Sequence, residues 1–104
     1  MTIEDRRLKL HEILCDILGS RHVYYDPPES IRMKYPAIVY RLGSVDTVKA
    51  DNTRYLRYAL YNVTYIRKDD DDDILDKLLD IPFAAFGTSF TAENLHHDTL
   101  SIYV

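Results

Sequence analysis

The feature that most constrains this chain is the stretch Arg54–Arg67, RYLRYALYNVTYIR, followed almost at once by the acidic run Asp69, Asp70, Asp71, Asp72 and Asp73. Aromatic and β-branched residues dominate the first segment and favour a pleated, half-buried surface, so it reads as a long strand over about 54–67. The run cannot continue that strand, because adjacent carboxylates repel and Asp is a poor strand former. Ile74, Leu75, Leu78 and Leu79 then recur at helical spacing, which predicts a short helix over about 72–80. The last aspartates stand where an acidic N-cap belongs, and Ile81-Pro82 stops the helix.

Upstream, Ile3, Leu10, Ile13, Leu14, Ile17 and Leu18 recur three and four residues apart and predict a helix over about 3–18 with one apolar stripe. Thr2 is its N-cap, and Thr2 with Asp5 resembles a capping box, although Asp is shorter than the usual Glu or Gln. Gly19 fits the left-handed position that ends a helix. His22–Tyr25 reads as a short extended piece, and Asp26-Pro27-Pro28 begins a turn. A strand over about 36–48 opens at Pro36, with Gly43 and Ser44 either ending its first part or forming a bulge. The polar segment 49–53 then turns the chain back, so the simplest pairing is a long antiparallel hairpin. Two further strands are expected over about 86–91 and 98–104, with Glu93–His97 as the turn between them.

These elements predict a single α+β domain over residues 1–104, an antiparallel or mixed β-sheet with two helices packed on one face. The central strand has one face of Tyr55, Arg57, Ala59, Tyr61, Val63 and Tyr65, and another of Leu56, Tyr58, Leu60, Asn62, Thr64 and Ile66. Neither is plainly polar, whereas a half-solvated antiparallel sheet alternates cleanly. Two short helices cover about one face, so the other is expected to meet further subunits or to lie under the loops 19–35 and 82–97. Tyr and Arg are enriched at interfaces, which makes Tyr55, Arg57, Tyr58, Tyr61 and Tyr65 the candidate interface residues.

The net charge of −4 argues against a general nucleic-acid binder. Cys15 is the single cysteine, so no intramolecular disulfide forms, and it reads as a small buried hydrophobe. No basic-then-apolar signal segment opens the chain, and no run approaches the ~18 apolar residues of a membrane span, so assembly in a cytosol is expected. No catalytic signature, metal site or cofactor-binding motif is recognisable. His96-His97-Asp98 lacks metal-site spacing, because neighbouring strand residues point to opposite faces. Asp69–Asp73 lacks the spaced ligands and glycine of a helix-loop-helix calcium loop.

From Leu56 to Tyr103 the chain resembles a family of small proteins from the head-to-tail joining region of long-tailed bacteriophages and prophages. The resemblance rests on Tyr58–Tyr65, the acidic turn, Ile74–Leu79, Pro82-Phe83, Phe90-Thr91 and Asn94–Asp98 in that order, with Tyr35–Tyr40 similar in layout. Proteins of this kind look like tail terminator, or tail completion, proteins akin to the lambda tail terminator. The resemblance implies a non-enzymatic virion protein forming a ring, usually a hexamer. Such a ring caps the tail tube, joins it to head-tail connector proteins and lets DNA pass without specific binding. Asp69 to Asp73 would then face the lumen or a divalent cation. Competing expectations are another connector, adaptor or minor capsid protein of the neck, a Mg-dependent enzyme using the aspartates, and a monomeric binding module using the first helix.

Overall fold

The computed structural model describes residues 2–50, 54–68 and 73–104. Helix α1 (Ile3–Leu18) begins at a complete capping box. The Thr2 Oγ1 accepts from the Asp5 backbone N–H at 3.1 Å, and the Asp5 carboxylate accepts from the Thr2 N–H at 3.1 Å. Asp is therefore long enough to close the reciprocal bond here. Gly19 ends the helix with φ of 79°, its N–H donating to the Cys15 carbonyl at 2.9 Å.

Strand β1 (Val23–Tyr25) follows, then β2 (Ala37–Ala50) after a cis Tyr35–Pro36 peptide. Next come β3 (Arg54–Arg67), α2 (Ile74–Leu79), β4 (Ala84–Ala92) and β5 (Leu95–Tyr103). One five-stranded sheet has the order β1-β2-β3-β5-β4. β1 runs parallel to β2 and every other neighbouring pair is antiparallel, so the sheet is mixed.

The expected hairpin is present, with Ala37 opposite Ile66 at one end and Ala50 opposite Arg54 at the other. Its one irregularity is a bulge between Leu42 and Ser44. A Cβ on Gly43 would come within 2.8 Å of the Asn62 side-chain nitrogen and 3.3 Å of the Leu60 carbonyl oxygen, so a larger residue at the bulge must displace the Asn62 side chain. The bulge lets one strand carry on where two were an open alternative.

Both helices lie on one sheet face. Leu10, Leu14 and Cys15 of α1 and Leu78 of α2 pack with Ile38, Tyr40, Ala59, Tyr61, Val63, Leu100 and Ile102. In β3 the buried positions alternate, Ala59, Val63 and their neighbours of the same parity pointing under the helices. The opposite face is partly flanked by Pro27–Met33, which with Val39, Arg41, Asn62, Thr64 and Ile66 lines a cavity of about 450 Å³.

Three expectations change. Glu93–His97 is not all turn: only Glu93 and Asn94 have positive φ (53° and 63°), and β5 starts at Leu95, pairing His96 with Arg67 and His97 with Ile66. A two-residue turn suffices because both residues adopt the left-handed geometry hairpins need. Asp73 occupies the N-cap of α2 without a side-chain capping bond; its carboxylate lies 3.5 Å from the Lys77 ammonium. α2 is also shorter than 72–80, and β4 and β5 are longer than the strands expected there.

Candidate assembly surfaces

Among the described residues, three surfaces lack internal cover. The first is the far end of the β2–β3 hairpin. β1 pairs with β2 only at Ile38, Val39 and Tyr40, and β5 pairs with β3 only as far as Leu60. Val104 extends that side by one step through reciprocal bonds with Ala59 of 2.9 and 3.2 Å. Beyond these points the hairpin projects as an arm, in a molecule 52 Å long but only 26 and 23 Å across. Leu42, Val45, Val48 and Tyr58 are exposed along it.

The second surface is β4, an outer strand exposed at nearly every position. Phe86 and Phe90 lie half open, and Phe83 just before it is 81% exposed. The Phe90 ring stacks on His97 with centroids 4.7 Å apart and planes 8° from parallel. Residues 84–92, AAFGTSFTA, contain no charge and no proline to blunt an open strand edge; the one such device is an irregularity between Phe86 and Ser89.

The third is an apolar groove of about 550 Å³ at the root of the arm. Leu10 and Ile13 of α1 form one wall, and Val48 and Tyr58 of the arm another. Phe83 and Ile102 complete it, while Arg6, Lys9 and Asp46 also line it. Arg6 anchors the corner, donating through Nη1 to the Arg57 carbonyl at 2.7 Å and to the Val104 carbonyl at 3.1 Å. Ile13, expected in the buried stripe of α1, is exposed beside this groove.

The candidate interface tyrosines separate. Tyr61 and Tyr65 are 1% and 0% exposed and belong to the chain's own core, so they are not interface residues. Their strand face is the one under the helices, a choice that alternation alone leaves open. Arg57 and Tyr58 are exposed, as an interface requires. The side chain of Tyr55 and residues Asp69, Asp70, Asp71 and Asp72 lie outside the described residues.

Two polar clusters are built into the body. In one, Arg7 donates to the Tyr40 hydroxyl at 3.1 Å, the His11 Nδ1 lies 2.7 Å from the same hydroxyl, and the Arg7 guanidinium sits 4.2 Å over the Tyr25 ring. Glu4 pairs with Arg7 and, with the Tyr40 hydroxyl, holds that guanidinium firmly protonated. Burial, then the Arg7 charge, lowers the His11 pKa, and burial raises the Tyr40 pKa. In the other, the carboxylate of Asp98, 3% exposed, accepts from Arg67 and from the Ser89 hydroxyl. Asp98 thereby ties β3, β5 and β4 together. His96 and His97 stand on opposite faces of β5, and among the described residues no group of three His, Cys, Asp or Glu side chains is placed to hold a metal ion.

Sequence reasoning expected a strand over about 86–91 but missed that β4 lies open at the sheet edge, and it missed the groove. The uncharged run 84–92 was the available signal for the first. The groove has no local signal, because four separate elements meet there. Protein-family models and curated proteins were both searched, and neither search finds a match for this chain.

Proposed function

We propose that this chain is a ring-forming tail terminator or tail completion protein of a phage neck, acting by assembly and catalysing no reaction. The observation that carries the proposal is the arm: a two-stranded extension, apolar on its flanks and uncovered by its own helices, in a chain that also leaves the sheet edge at β4 open. Two different unsatisfied surfaces on one subunit favour heterologous contacts, and a heterologous contact repeated about an axis closes into a ring. The order of motifs shared with head-to-tail joining proteins supplies the setting, with the tail tube on one ring face and connector proteins on the other. Tyr58 and Arg57 are the interface residues retained from the strand; Phe86 and Phe90 join them.

The test is native mass across protein concentration, alone and with isolated tail tubes. A species near six times the 12.2 kDa chain is expected, either free or on the tubes. Tyr58→Asp should abolish that species while circular dichroism still reports a folded monomer. A strict monomer that leaves tail tubes unbound and unterminated overturns the reading.

A further inference from the structure

We infer that subunits join by strand pairing, the open edge of β4 in one copy lying along the outer edge of β2, residues 44–50, in the next. The inference rests on the ring reading and specifies its contact. Its basis is the backbone. A strand edge presents a row of N–H and C=O groups that must be satisfied by water or by another strand.

The described residues include four such edges at β-strand geometry, of which the outer edge of β1, three residues long, is the shortest. β4 contributes nine residues with no partner strand on its outer side, interrupted by an irregularity between Phe86 and Ser89. The arm contributes β2 from Ser44 to Ala50, past the last β1 pairing at Tyr40, and β3 from Arg54 to Tyr58. The β3 edge is the poorer acceptor of a new strand, because the Arg57 carbonyl already takes the Arg6 guanidinium and Val104 occupies the neighbouring position. That leaves β4 and the β2 limb as the two longest edges, of nine and seven residues.

Their chemistry suits a second copy of the same chain. β4 is uncharged, and residues 44–50 carry one Asp46 and one Lys49, so neither edge repels the other. Val45 and Val48 on the limb are exposed apolar residues that meet the half-open Phe86 and Phe90 once the strands are side by side. Past Tyr40 the outer side of β2 faces no partner strand of its own chain, so its backbone is open to a neighbour's. Pairing β4 with β4 would close a two-fold dimer and leave the β2 limb open; pairing β4 with the limb uses both edges and propagates around a ring.

The experiment places a photoreactive benzoylphenylalanine at position 90 and irradiates the assembled protein, prepared as a mixture of isotopically heavy and light chains. Cross-linked peptides are sequenced by mass spectrometry. Mixed heavy–light adducts on residues 44–50 are the expected result. In parallel, Ala85→Lys and Ala92→Lys place charges on the β4 edge, where they should raise the concentration for half-assembly at least about tenfold without changing the monomer's melting temperature. A ring that forms normally in both lysine variants, or heavy–light adducts on another segment such as β4 itself, overturns the strand pairing and leaves the ring reading standing. A protein that stays monomeric with and without tail tubes and gives no heavy–light adduct overturns both.

Discussion

The body of the sheet and its arm are made from the same two strands, yet they obey different rules. Between Ala37 and Leu42, β2 lies under α1 and beside β1, and its inward residues Ile38 and Tyr40 are wholly buried. Past Gly43 the same strand is exposed at every described position through Val48. Apolar residues stand on both sides of that boundary, Ile38, Val39, Tyr40 and Leu42 before it and Val45 and Val48 after it, although the second part also carries Ser44, Asp46, Thr47 and Lys49. For the apolar residues, what changes is whether a helix stands above. Apolar strand residues are thus no guide to burial by themselves; cover decides.

The largest expected break of this contrast is in the body. Asp98→Ala removes the partner of Arg67 and strands a half-buried guanidinium, so stability should fall by about 3–5 kcal/mol in urea denaturation. A loss below about 1 kcal/mol would show that the cluster is hydrated and not a cross-tie.

A smaller effect concerns pH. The His11 pKa is depressed below its ordinary 6.5 in the folded chain, so the unfolded chain takes up that proton first as pH falls. The contribution is fully present above about 6.5 and is lost as pH drops from there toward the folded-state value. Stability should decline over that window, and His11→Gln should flatten the decline. An unchanged pH profile would place the sensitivity elsewhere.

The smallest effect belongs to the arm. Val48→Ser should change monomer stability by no more than about 0.5 kcal/mol, because the residue is half exposed and few contacts are lost. Its effect is expected on assembly instead. A large loss in the monomer would mean that the arm folds against the body through the groove.

Much of the fold was legible from local chemistry. The bounds of α1 follow from Thr2, the apolar stripe and Gly19, since capping and the left-handed cap act within a few residues. The β2–β3 hairpin follows from two apolar runs around a short polar link, and the helix after the aspartates from Leu spacing. The candidate site was only half legible. Tyr58 and Arg57 are exposed as expected, but Tyr61 and Tyr65 are core. Period-two alternation separates the two faces of β3 without saying which receives the helices. That depends on where α1 and α2 pack, which is set by long-range contacts.

The sequence by itself determined the element types, the β2–β3 hairpin and the absence of charge along 84–92, because these depend on neighbours in the chain. Only the tertiary structure decided the strand order, which places β4 at the outer edge, and the length of the arm, which is whatever β1 and β5 leave uncovered. It alone brought α1, the arm, Phe83 and the end of β5 around one apolar groove. Local patterning records which residues favour burial; which of them receive cover is a property of how the layers meet.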